Sequence, residues 1–289
     1  MQFQGFNIIK EKIVQFMGTA ADYFRMLRVQ DWIFGYFFIP GIGSIAAAGV
    51  TPLLVPVAVI SFCTIAFGFV INNIADVEID KVHTGKCAML KNPLVSQSVT
   101  LRGTWILVVS LAFVPLCLSL LWSVPAFFSI AATLILFTAY SIRPFRFKER
   151  YVLDLVTHGV MAGAMLFLVG YLLSLPAIPL LSAKMVSLSV LFTCIGCMAL
   201  VVHQIGDYRE DCGHTTTTVV QLGKRKSWCL FAVLMALSLI ALAAVNLVVT
   251  LEPWVLWGSV ALFAIPIFLL RNDIREDFIH KPVPDPDRE

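Results

Sequence analysis

Ile71-Asn72-Asn73-Ile74-Ala75-Asp76-Val77-Glu78-Ile79-Asp80 closes a long apolar run and opens a basic loop. Asn72, Asp76 and Asp80 recur at every fourth residue. On a helix that spacing puts them on one side, about a turn apart. The apolar run, residues 53–75, is long enough to cross a bilayer, so the row stands at the end of a membrane helix. An ionised carboxylate costs roughly 2.5 to 3.5 kcal/mol at the centre of such a helix. Two of them on one face near hydrocarbon need a partner. A hard divalent cation suits them, because Mg²⁺ takes oxygen ligands and is often shared between carboxylates and substrate phosphates.

A second stretch repeats the theme. His203-Gln204-Ile205-Gly206-Asp207-Tyr208-Arg209-Glu210-Asp211 also closes an apolar run, with Asp207 and Asp211 one turn apart. Two acidic pairs at two helix ends on the same side of a membrane are more specific than either alone.

The composition agrees with a membrane protein. The chain is 59% hydrophobic and 13% charged with mean hydropathy +0.87, whereas a soluble domain carries about 25% charged residues. A formal charge of +3 is too small to suggest nucleic acid. Apolar runs at about 30–49, 53–75, 102–121, 123–141, 152–174, 186–206, 228–249 and 253–270 predict eight spans in an all-α bundle. With a cytoplasmic N-terminus, the inner side receives Lys81, Lys86, Lys91, Arg143, Arg146, Lys148, Arg150, Arg209 and Lys224-Arg225-Lys226, and the outer side only Lys184. That positive-inside pattern puts both termini in the cytoplasm, and a prokaryotic cell membrane is the expected location. Each acidic motif ends the second helix of a four-helix half, which suggests a parallel internal repeat with the two pairs facing each other.

The remaining segments organise around this bundle. Residues 1–28 carry apolar side chains every third or fourth position and lack a signal-peptide cleavage pattern, so they read as an amphipathic interfacial helix. Residues 29–271 form the single transmembrane domain, and the polar, proline-rich stretch 272–289 reads as disordered. Of the seven cysteines most lie in apolar runs and read as small buried hydrophobes. Cys194-Ile195-Gly196-Cys197 has redox or zinc spacing but no second ligand pair.

Acidic pairs, nearby cations and an apolar bundle suit a ligand with a polyanionic end bridged by Mg²⁺ and a greasy end. A polyprenyl diphosphate meets both demands. Its allylic C–O bond breaks when metal ions and cations stabilise the departing diphosphate, and the carbocation needs shielding from water.

The motifs then carry a resemblance. Asn72-Asn73-Ile74-Ala75-Asp76-Val77-Glu78-Ile79-Asp80 resembles the N-D-x-x-D-x-x-x-D motif of the UbiA-type intramembrane prenyltransferases. Asp207-Tyr208-Arg209-Glu210-Asp211, with Gly213, Thr216 or Thr217 and Leu222-Gly223 after it, is similar to their second motif. Tyr140-Ser141 with Pro144, Arg146 and Lys148 resembles their Y-S-x-x-P-x-R-x-K loop. Lys91-Asn92-Pro93-Leu94-Val95-Ser96 sits where they have R-P-I-x-S-G, and Arg28 matches an arginine of their first helix. The resemblance covers residues 25 to 270. It implies two Mg²⁺ ions held by Asn72, Asp76, Asp80, Asp207 and Asp211, under a cytoplasmic cap of loops. It implies diphosphate contacts from Arg28, Asn72, Lys91, Tyr140, Ser141, Arg143 and Lys148. It implies Asp76, Asp80, Asp207 and Asp211 as the catalytic aspartates, a polyprenyl diphosphate donor and a lipophilic acceptor.

Three departures stand out. Asn73 replaces an aspartate, Gln97 replaces a glycine, and eight spans stand against the family's usual nine. Two other readings compete with prenyl transfer: a cyclase that closes the prenyl diphosphate on itself without an acceptor, and a transporter of a phosphorylated lipid or anion. Transporter sites tend to lie at the bilayer midplane, whereas the ionisable residues here lie at helix ends.

Overall fold

The computed structural model describes residues 20–82, 92–175, 182–213 and 215–249, with Ile274, Arg275, Asp277 and Phe278. Every regular element among them is helical. The chain forms two compact units, Met1–Arg146 with Leu166–Ile178, and Phe147–Met165 with Pro179–Glu289.

The first unit contains α1 (residues 20–26), α2 (Val29–Trp32), α3 (Phe38–Ala48), α4 (Leu54–Val82), α5 (Leu101–Leu120) and α6 (Val124–Ser141). It also takes the second half, Leu166–Leu173, of a helix α7 that runs Leu153–Leu173. The apolar run 30–49, expected as one span, is instead broken into α2 and α3, and α3 has only 11 residues. Pro40 explains the break. It has no N–H to give and its ring would clash with the carbonyl four residues back, so it belongs in the first turn of a new helix, where it stands. Ser123 separates α5 from α6 by accepting the Ala126 N–H as N-cap.

The core of this unit is built from Met26, Trp32, Ile60, Ile65, Val70, Ile130 and Phe167, all nearly without exposure. Trp32 donates its indole N–H to the Leu27 carbonyl at 2.7 Å. Helix α3 lies close against Leu166–Leu173. A Cβ on Gly43 or Gly170 would collide with the facing helix backbone, and Ser44 and Ser174 share a hydrogen bond of 2.7 Å. Small residues and a buried hydroxyl pair are how helices associate where lipid removes the hydrophobic drive.

The second unit holds a short 3-10 turn (Phe147–Glu149), the first half of α7, α8 (Ala183–Gly206), α9 (Tyr208–Asp211), α10 (Thr218–Leu222) and α11 (Lys224–Val249). Leu155, Cys197, Met198, Val201, Ile205, Val219, Trp228 and Phe231 pack as its core. Its central polar feature is Asp154, which has no exposed surface. The carboxylate accepts from Leu155 N at 2.7 Å, Gln204 Nε2 at 2.8 Å, Thr218 N at 2.7 Å and the Thr218 hydroxyl. Four donors make a buried charge tolerable, and they tie α7, α8 and α10 together. Within the stretch expected to be disordered, Ile274 packs on this core. Asp277 there accepts from Trp228 Nε1 at 2.9 Å and lies 3.5 Å from Lys224 Nζ.

The protein is a polytopic membrane protein. Six helices among the described residues are long and apolar enough to span. Ile106, Val109, Phe113, Phe128, Ile135 and Ile240 are more than half exposed, which lipid rather than water accommodates. The run 253–270 lies outside the described residues. Cys194 and Cys197 are buried thiols as expected, whereas Cys117 and Cys229 are exposed on apolar helices.

Candidate active site

In the first unit the Asn72–Asp76–Asp80 row occupies the last three turns of α4, and each side chain is partly buried. Each residue of the row meets a partner from another segment. Ser141, ending α6, donates its hydroxyl to Asn72 Oδ1 at 3.2 Å. Arg146 donates Nη2 to Asp76 Oδ1 at 3.0 Å and Nη1 to the carbonyls of Ala75 and Ser141 at 3.3 and 3.2 Å. Asn92 donates to Asp80 Oδ2 at 2.8 Å. The Arg146–Asp76 pair is largely out of water, with side-chain exposures of 8% and 17%, so it is charge-assisted with little screening. Arg146 has φ +39. Positive φ in a non-glycine residue costs about 1–3 kcal/mol and persists only where the surroundings impose it; the three guanidinium bonds do so here.

Asn73 points elsewhere. It is 2% exposed and donates to the Met26 carbonyl at 3.0 Å, fastening α1 to α4. Its amide therefore lies off the face of the row. Arg28 has φ +51 and pairs with Asp31 through Nε at 2.7 Å, and its guanidinium lies over the Phe69 ring at 5.3 Å. Tyr140 is half-buried in the last turn of α6. Arg143 is exposed and lines an apolar groove of about 350 Å³ with Phe67, Leu134, Thr138, Ile142 and Phe145. Lys91 lies outside the described residues.

In the second unit Asp207 joins α8 to α9. Its carboxylate is 3.3 Å from His203 Nε2 and 47% exposed. Asp211 ends α9, and its carbonyl accepts the Thr215 N–H at 3.1 Å. Gly213 and Gly223 have φ of +82 and +75, a backbone that glycine adopts without penalty; these are the glycines of the second motif. Lys148 lies half-buried in the 3-10 turn. Among the described residues no three His, Cys, Asp or Glu side chains gather as a ready metal cluster.

Sequence reasoning assigned no role to Arg146, Asn92 or Asp154. Arg146 was legible as the arginine of the Y-S-x-x-P-x-R-x-K loop but without a role, since neither its backbone conformation nor its partners can be read from spacing. For Asn92 the signal was the register of R-P-I-x-S-G. Counting from Pro93, Asn92 and not Lys91 stands at the arginine position, in the same register that sets Gln97 against the glycine. Asp154 and Gln204 were detectable as lone polar residues inside apolar runs.

An all-helical membrane protein with a carboxylate row and cations at a helix end is the class that fold and site define. The chain belongs to the UbiA prenyltransferase family, whose model matches residues 35–279, and is a prenyltransferase. Among solved structures it is similar to a UbiA homologue from Archaeoglobus fulgidus bound to DMAPP and Mg²⁺, at 20% identity over 87% of each chain with TM-score 0.72. It is also similar to a digeranylgeranylglyceryl phosphate synthase in membranes, at 20% identity over 88% of each chain with TM-score 0.67. An apo UbiA homologue from Aeropyrum pernix K1 matches at 19% identity and TM-score 0.69, over 84% of this chain and 90% of that one. At these identities the likeness is one of fold. A search of curated proteins found no match.

Proposed function

We propose that the chain moves a polyprenyl group from its diphosphate to a lipophilic acceptor, either an aromatic quinone precursor or a lipid- or carotenoid-type molecule, with a divalent cation as cofactor. The observation that carries this reading is the Asn72–Asp76–Asp80 row, each member braced by Ser141, Arg146 or Asn92. Its donor atoms are all oxygens, which fits Mg²⁺. The A. fulgidus homologue has structures with Mg²⁺ and either DMAPP or GPP.

In this reading Asn72, Asp76 and Asp80 hold one ion, and Asp207 and Asp211 a second. Bound Mg²⁺ supplies Lewis-acid stabilisation of the departing diphosphate. Asp76 and Asp80 concentrate negative charge at a helix end. Arg146 braces Asp76 and sets a fixed positive charge beside it, so the pair needs no reorganisation as charge develops. Arg28, Lys91, Tyr140, Ser141, Arg143 and Lys148 are assigned to the diphosphate. The loops bearing these groups and both termini are assigned to the cytoplasm, with residues 1–28 at the interface, 29–271 as the catalytic domain and 272–289 as a polar tail.

The test is incubation of purified protein with labelled prenyl diphosphate and a panel of acceptors, with and without Mg²⁺. The reading expects label in a lipophilic product only when metal and the right acceptor are both present. A prenyl hydrocarbon formed without acceptor would establish the cyclase instead. Absence of turnover, with labelled diphosphate crossing the bilayer of reconstituted vesicles, would establish transport.

A further inference from the structure

Asn92 lies just before Pro93, in the short segment that leads to α5. It is 1% exposed. Its amide nitrogen donates to two acceptors on α4, the Asn73 carbonyl at 2.9 Å and Asp80 Oδ2 at 2.8 Å. Its amide oxygen accepts the Leu94 N–H at 3.2 Å, which closes the turn two residues on. Both amide hydrogens and one oxygen lone pair are thus engaged. The reverse orientation of the amide would set oxygen against two acceptors and nitrogen against a donor, so the network admits one orientation only.

From this geometry we infer that Asn92 is a positioning residue that holds the Asp80 carboxylate in place for the divalent cation. The inference rests on the metal role proposed for the Asn72–Asp76–Asp80 row. A carboxylate in the last turn of a helix has several rotamers, and binding a cation would have to freeze them. Asn92 has already done so through Oδ2. It does this as a neutral donor, so Asp80 keeps its full charge for the cation. Asp76 differs, because its partner is the charged Arg146. The R-P-I-x-S-G register puts a cation at the Asn92 position, and the N-D-x-x-D-x-x-x-D motif puts an aspartate at the Asn73 position. Here both are neutral amides, and the Asn92 side chain reaches the main-chain carbonyl of Asn73. Outer partners of metal ligands commonly set affinity by 10- to 100-fold.

A clamp with no bearing on the cation would use the same bonds, so the test reads metal binding apart from turnover. Mn²⁺ is titrated into metal-free, detergent-solubilised protein and free Mn²⁺ is followed by electron paramagnetic resonance. Asn92→Ala should weaken Mn²⁺ binding by about tenfold or more. Asp80→Ala should weaken it too, and adding Asn92→Ala to Asp80→Ala should weaken it no further, since Asn92 acts through Asp80. Asn92→Ser is the second variant, for the case in which Asn92→Ala fails to fold. Its hydroxyl can still accept the Leu94 N–H but is too short to reach Asp80. Unchanged Mn²⁺ affinity in the Asn92 variants, with only a lower melting temperature of the metal-free protein, overturns the inference. So does an equal further loss in the Asp80→Ala background. Failure of the wild-type protein to bind Mn²⁺, or full binding by Asp80→Ala, sinks the metal reading itself and is thereby distinguished.

Discussion

At the scale of single residues, neighbours three residues apart along α4 do different work. Asp76 faces Arg146, whereas Asn73 is buried under the Met26 carbonyl. Asn73→Ala leaves that carbonyl unsatisfied, which costs about 1–3 kcal/mol. Its main effect should be on unfolding in detergent. Asp76→Ala should cost at least about tenfold more in turnover than Asn73→Ala, or about 1.4 kcal/mol of barrier. Equal losses of turnover would put Asn73 on the cation-facing side and contradict the geometry. Gln97 gives a second test. It has φ +56 at the position where the family pattern has glycine. A β-branched residue is a genuine outlier there, so Gln97→Val should lower stability by about 1–2 kcal/mol. Gln97→Gly should be close to neutral, since relief of strain and loss of chain stiffness oppose each other. A thermal-shift series on the two variants checks the sign.

At the scale of elements, Asp154 is the fastening of the second unit. Asp154→Ala leaves the Gln204 amide, the Thr218 N–H and the Thr218 hydroxyl without their acceptor. At about 1–3 kcal/mol per orphaned group, the loss should amount to several kcal/mol and appear as a lower unfolding midpoint. Asp154→Asn, which retains an oxygen acceptor, should lose less. An unaltered midpoint in Asp154→Ala would mean that water replaces the carboxylate without penalty. This element also marks what a sequence can and cannot disclose. Apolar runs of span length located α5, α6, α7, α8 and α11 within a few residues, and the start of α4, because burial in lipid demands continuous hydrophobicity; α4 itself runs on to Val82 beyond its apolar part. The same criterion merged α2 and α3, since composition alone does not register that Pro40 starts a new helix. Four-residue spacing located the row of Asn72, Asp76 and Asp80. Its braces were illegible because Ser141, Arg146 and Asn92 reach it across 69, 70 and 12 residues of chain. Pattern along one helix is local, whereas a partner from another segment is a product of packing.

For the whole molecule, the proposed orientation rests on the distribution of the cations. Lys86 and Lys184 are assigned to opposite sides, so single cysteines introduced next to each should react with an impermeant reagent from opposite faces of sealed vesicles. Labelling of both from one face contradicts the topology. The central claim is that the two aspartate motifs serve one reaction. A leaving diphosphate gains charge as the C–O bond breaks, so groups that stabilise it more strongly than the bound substrate lower the barrier. The most direct measurement is turnover of labelled prenyl diphosphate at saturating Mg²⁺ by Asp76→Asn, Asp207→Asn and the double variant, with folded yield in detergent as the control. Each single change should slow turnover by about a hundredfold or more. The double variant should lose far less than the product of the two, because groups that act as a unit are not additive. Full activity in Asp207→Asn would contradict the account, leaving the second motif as a charge cluster at the membrane surface.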